Sequence, residues 1–148
     1  MSLDERIMND YKQAMKDKDS AKSSTLSFLR AQLKYALIDK RVEKLSDEDA
    51  IAVIKKQVKQ RQDSITQFEQ GGRADLADKE KAELNLLKSY LPQEMSAEEL
   101  NAVIEAAVKQ TGAASMKDMG NVMKILLPQI GGRADSKLVS DLIKKRLA

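Results

Sequence analysis

The residues with the most chemistry to offer gather near the C-terminus, in Gly131-Gly132-Arg133-Ala134-Asp135 with Lys137 just beyond. Two adjacent glycines can take positive φ and close a helix, and an aspartate after them can cap the next one. Arg133 and Lys137 then flank the first, unpaired amide groups of that helix. Peptide N–H groups, a guanidinium and an ammonium in one place can hold an anion. Upstream, Lys117, Asn121 and Lys124 fall at i, i+4 and i+7, opposite an apolar face of Met119, Val122, Met123 and Leu126, so helical spacing puts them on one solvent stripe. Gly120 reads either as helix filler or as a point of close backbone approach, and packing is the first expectation for both Gly120 and Gly132. The candidate anion-binding set is Lys117, Gly120, Lys124, Gly132, Arg133 and Lys137.

Charge supports this choice only locally. The 148 residues carry 26 Lys+Arg against 23 Asp+Glu, a net of +3, too small to identify a nucleic-acid binder from the total. From Met116 onward, seven basic residues face three acidic ones, a net of +4. Lys144, Lys145 and Arg146 within that count read first as complements to a helix C-terminus. Arg133 has a plain reading too, as a turn arginine, because Gly-Gly-Arg-Ala-Asp also occurs at 71 to 75. All five aromatics (Tyr11, Phe28, Tyr35, Phe68, Tyr90) precede residue 92. The C-terminal segment therefore lacks a base-stacking platform, and RNA recognition there would read backbone shape and charge.

Catalytic chemistry finds little footing. With no cysteine and no histidine, the usual nucleophilic triads, disulfides and cysteine metal sites are excluded. Carboxylate clusters such as Asp47, Glu48 and Asp49, or Glu98 and Glu99, fall in first helical turns, where they cap and offset the dipole. No cofactor or metal is implied.

These residues must be positioned by helices. Aromatic content is 3%, so the core has to come from Leu, Ile, Val, Met and Ala, and no stretch alternates like a strand. The spacing predicts a first helix to about Met15, and a second with Leu26, Leu29, Leu33 and Leu37 inward. Phe28 and Tyr35 widen the second helix's apolar face toward more than one neighbour. A long third helix starts at Ser46, carries Ile51, Ile54, Val58, Ile65 and Phe68, and stops at Gly71-Gly72. The fourth follows from Arg73-Ala74-Asp75 and forms a hairpin with it. Leu91-Pro92 is the expected boundary, with Ser96-Ala97-Glu98-Glu99 a capping box beyond it. Three short helices follow, stopping near Gly112, before Pro128 and at the C-terminus. The expectation is an all-α chain: a four-helix N-terminal domain at 1–91 and a three-helix C-terminal domain at 92–148.

The first residues are acidic and amphipathic rather than basic and then apolar, and no uncharged apolar run approaches about 18 residues. A soluble, cytoplasmic protein with no membrane partner is expected.

The strings Lys117, Gly120, Lys124, Gly132-Arg133, Asp135 and Lys137-Leu138-Val139, with Lys59-Gln60-Arg61, Gly72-Arg73, Asp75-Leu76 and Tyr90-Leu91-Pro92, resemble the YqeY-like family. The C-terminal strings are also similar to the tail of the B subunit of the aspartyl/glutamyl-tRNA amidotransferase. That resemblance implies a small helical tail that helps hold transfer RNA, while amide transfer is carried out by domains and subunits absent here. Where family members often have a further glycine after the Asp, this chain has Ser136. Structured RNA, most plausibly transfer RNA, is thus the first expected partner. A protein partner is the second, through the mixed-charge helix from Ser46 to Gln70 or a groove between domains. A role as accessory to glutamine-dependent amide transfer is the third.

Overall fold

The computed structural model describes all 148 residues as helices and short connections. In order these are α1 (Leu3–Lys16), α2 (Ser20–Lys40), α3 (Asp47–Gln70), α4 (Ala74–Lys88), α5 (Ala97–Thr111), a 3₁₀ turn at Met116–Asp118, α6 (Met119–Ile130) and α7 (Ser136–Leu147). The chain is all-α, as composition and periodicity require. No helix is long and apolar enough to cross a membrane.

Residues Met1–Leu91 form one compact unit and Pro92–Ala148 another. In the first, Ser2 and Glu5 make a reciprocal capping box, Ser2 Oγ accepting from the Glu5 amide and Glu5 from the Ser2 amide. Ser46 Oγ accepts from the Asp49 amide to start α3, but the Asp49 carboxylate does not complete a box; Lys40 Nζ holds it at 2.6 Å. Gly72, at φ 71, takes the left-handed conformation that lets the chain turn directly into α4. The resulting α3–α4 pair packs more extensively than any other. Ile7, Leu26, Leu29, Ile54 and Leu87 are enclosed at its core. Burying each such side chain stabilises the fold by roughly 1.5–3 kcal/mol. Tyr90 closes one end, its hydroxyl donating to Asp10 at 2.6 Å with the Arg6 guanidinium 4.9 Å from the ring centroid.

As expected, α2 packs against more than one neighbour, α1, α3 and α4, but not chiefly through its aromatics. Tyr35 is 61% exposed, and Phe28 is 49% exposed with the Arg61 guanidinium over its ring. The face widened by these aromatics is left partly uncovered within the unit.

In the second unit, Leu100, Ile104, Val122, Leu126, Val139 and Ile143 form a separate apolar core from all three helices. Gly112, at φ 67, closes α5. The expected stop before Pro128 does not occur, since α6 continues through the proline to Ile130. Pro128 lacks one amide in the last turn of an exposed face, and the Gly131 amide still reaches the Leu127 carbonyl at 3.1 Å. The lost bond is the one to the carbonyl of Lys124, a residue on the exposed face, and only Gln129 and Ile130 of the helix follow the proline.

Candidate anion-binding surface

The turn between α6 and α7 is built as its glycines require, with Gly131 at φ 54 and Gly132 at φ 85. Its polar groups, however, are largely used within the unit. The Arg133 amide donates to the Ile130 carbonyl at 2.9 Å, and the Arg133 carbonyl accepts from the Met95 amide at 2.9 Å. The side chain is equally committed. Nε donates to the Gln93 carbonyl at 2.8 Å, and Nη2 donates to the Glu99 carboxylate at 3.0 Å. This explains why Ser96 and Glu99 form half a capping box: Ser96 Oγ accepts from the Glu99 amide at 3.1 Å, while the Glu99 carboxylate turns to Arg133. The start of α7 has its own anion, since Asp135 accepts from the Lys137 amide at 3.4 Å.

Arg146 is occupied in the same manner by Glu105. The hydrogen bond from Arg146 holds the Glu105 carboxyl below its usual range, and the same contact raises the guanidinium. Both arginines of the C-terminal unit thus lie against glutamates of α5. Counted over 92–148, eight basic residues meet seven acidic ones, so the surplus after Met116 is balanced by Glu94, Glu98, Glu99 and Glu105. The lysines differ from the arginines. Lys117, Lys124 and Lys137 are exposed and make no ion pair in the structure, and the same holds for Lys144 and Lys145.

The structure separates Lys117 from the expected stripe. It belongs to the 3₁₀ turn before α6, where the Asp118 carboxylate accepts from the Ala114 and Ser115 amides at 2.9 and 3.2 Å. Only Asn121 and Lys124 of that row lie on α6. Gly120 is exposed in the first turn of α6, and a Cβ there would meet no atom within 4 Å. The packing expected of Gly120 is therefore absent, and the space above it opens to solvent. At Gly132 the positive φ is a sufficient reason for glycine.

A second polar locus, whose Arg61 belongs to one of the strings that carry the family resemblance but is given no role by it, lies in the N-terminal unit. Arg61 of α3 is 14% exposed and pairs through Nη1 with Glu80, at 3.1 Å, and with Glu83, both on α4. Its Nε is buried without a hydrogen-bond partner.

A model of the Yqey-like protein family matches residues 4–147. The chain belongs to the YqeY-like family. Among curated relatives, the altered inheritance of mitochondria protein 41 of Vanderwaltozyma polyspora is 31% identical over 76% of this chain and 64% of its own length. Its namesake in Pyrenophora tritici-repentis is 28% identical over 95% of this chain and 78% of its own. That of Eremothecium gossypii is 37% identical over 68% and 56%. The chain thus spans between about half and four fifths of the YqeY-like relatives it matches, and their printed names carry the word mitochondrial.

Proposed function

We propose that this YqeY-like chain is a non-catalytic helical protein that binds structured RNA, most plausibly transfer RNA, through phosphate contacts from the lysines of its C-terminal unit. The observation that carries the reading is the division between its cations. The arginines face α5 glutamates, whereas Lys117, Lys124 and Lys137 stand exposed and unpaired. Lysine ammonium groups of this kind meet phosphate oxygens as point charges and release counterions on doing so. The open space above Gly120 suits the approach of a sugar-phosphate backbone. Arg133 enters the reading as the clamp that holds Gln93 and Glu99 around the turn, and Gly132 as the residue that lets the turn form. The similarity to an amidotransferase tail gives transfer RNA its preference over other structured RNA.

A filter-binding titration of transfer RNA over a salt series tests this. Affinity should fall linearly with salt on logarithmic axes, and Lys117→Glu, Lys124→Glu and Lys137→Glu together should flatten the slope. Equal slopes for the variant and the parent chain would remove these lysines from the interface.

A second reading, a protein-interaction adaptor, has its own observation in α2. Phe28, Tyr35 and Ile38 recur at spacings of seven and three residues and are 49%, 61% and 56% exposed. Such a row is an apolar anchor set for a partner helix. A protein that copurifies with the chain after nuclease treatment, and is lost on Tyr35→Asp, would favour it. A cytoplasmic location belongs to the reading as well, and cell fractionation tests it against the mitochondrial designation of the fungal relatives.

A further inference from the structure

The N-terminal unit contains an open cleft of about 410 Å³ between α2, α3 and α4, within the size range of small-ligand sites. Its walls include Phe28, Gln57, Gln60, Arg61, Glu80 and Glu83.

One of these groups lacks the partner that a buried polar atom normally has. Gln57, 5% exposed, makes no side-chain hydrogen bond within the chain, and its amide atoms are not fully enclosed. Arg61 uses Nη1 alone, on Glu80 and Glu83. Its Nε is the one fully buried side-chain nitrogen or oxygen of the protein without a partner, and Nη2 has none either. Nε is enclosed by the protein, so Nη2 is the donor left for a carbonyl acceptor in the cleft. Phe28, nearly half exposed, adds an aromatic surface to the same walls.

Charge narrows the ligand. Arg61 and Lys79 balance Glu80 and Glu83, so the lining is neutral overall, and the paired carboxylates repel a phosphate chain. The complementary molecule is neutral and planar. It carries a carbonyl acceptor for Arg61 Nη2 and ring or exocyclic groups that exchange hydrogen bonds with the Gln57 and Gln60 amides. It also carries a π-face for Phe28.

We propose that the Phe28–Gln57–Arg61 cleft binds an unstacked nucleobase. The base comes either from a free nucleoside or from an unpaired position of an RNA. This inference is independent of the lysine surface of the C-terminal unit, which reads phosphate charge and no base. Sequence reasoning placed the aromatics in the N-terminal portion but had no reason to join Phe28 to residues 29 and 33 positions further on.

The test is a chemical-shift titration of the full chain with adenosine, guanosine, cytidine and uridine, followed by unstructured RNA decamers of each base. Saturable shifts at Gln57, Gln60 and the Phe28 ring with a nucleoside support the inference and assign a free ligand. Shifts at those residues with a decamer alone support it and assign an unpaired RNA base. In either case Phe28→Ala, a change at an exposed ring, should weaken the response about ten-fold, and Gln60→Ala should alter which base is preferred. Lys117→Glu with Lys124→Glu should leave the response to a nucleoside, which carries no phosphate, unchanged, and this separates the site from the proposed phosphate surface. Absence of cleft shifts with every nucleoside and decamer, or unchanged affinity in Phe28→Ala, would overturn the inference.

Discussion

Arg133 Nη2 and Glu99 Oε2 are 3.0 Å apart, and through that pair the turn before α7 is joined to the first turn of α5. The two side chains are 37% and 53% exposed, so solvent screens their attraction. An exposed pair of this kind contributes about 0–1 kcal/mol. Arg133→Ala should therefore lower stability by no more than about 1 kcal/mol beyond the loss of its bond to the Gln93 carbonyl, itself worth about 1 kcal/mol. Chemical denaturation reads the stability change. For RNA, Arg133→Ala should leave the salt slope unchanged, because its charge is already compensated. Glu99→Gln should do the opposite. It releases the guanidinium and should steepen the logarithmic slope by up to about 0.9, one phosphate's worth of counterion release.

Tyr90 should mark the alkaline limit of the N-terminal unit. Burial comes first, then the hydrogen bond to Asp10 and its charge; together they push the phenol above its ordinary 10.0, opposed by nearby Arg6. The unfolded chain ionises this group more readily than the folded one. Its contribution is thus complete below the ordinary phenol value and is lost as pH rises past it. Tyr90→Phe should cost about 1 kcal/mol near neutrality by removing the bond to Asp10. The same variant should flatten the fall in stability above pH 10, relative to the parent chain. Thermal melts from pH 7 to about 11 give both quantities.

The legible parts of this chain are those governed by neighbours in sequence. Ser46 and Ser96 each cap the helix they precede, and Gly72, Gly112 and Gly131 take the positive φ that their positions imply. Leu26, Leu29 and Leu33 are buried at the helical spacing that betrays them. What sequence could not supply was the choice among partners far apart in the chain. Glu99 carries every local sign of a capping-box acid, yet its carboxylate is taken by an arginine 34 residues away. Arg61 stood in a family-like string, but its role was hidden because Glu80 and Glu83 reach it from the next helix. Pro128 was misleading for another reason. A proline removes the bond to the carbonyl four residues back, here that of Lys124 on the exposed face, and only two helical residues follow it.

The C-terminal unit should be the less tolerant of core damage. Leu126 is fully enclosed in a core that only three short helices supply. Leu126→Ala removes packed methylene groups and leaves a cavity, at a cost of about 2–5 kcal/mol. For a unit of this size, which buries a smaller share of its surface than a larger domain does, that loss approaches the whole stability. Amide hydrogen exchange should accelerate across α5, α6 and α7 together, while the amides of α3 and α4 keep their protection. Loss confined to the turn around Leu126 would mean that the three helices do not share one cooperative core.

Gly120 allows stability and binding to be separated with one methyl group. Alanine is a better helix former than glycine by roughly 0.8–1.0 kcal/mol in a helix interior, and somewhat less so in a first turn. A Cβ at this position meets no atom of the chain within 4 Å, so nothing opposes that gain. Gly120→Ala should therefore raise stability by about 0.5 kcal/mol. If a sugar-phosphate backbone comes close to α6 there, the same methyl group stands in its way. Transfer-RNA affinity should then fall several-fold with no change in salt slope, because no charge has been removed. A variant that is more stable and binds as tightly as the parent would place the RNA elsewhere than over Gly120.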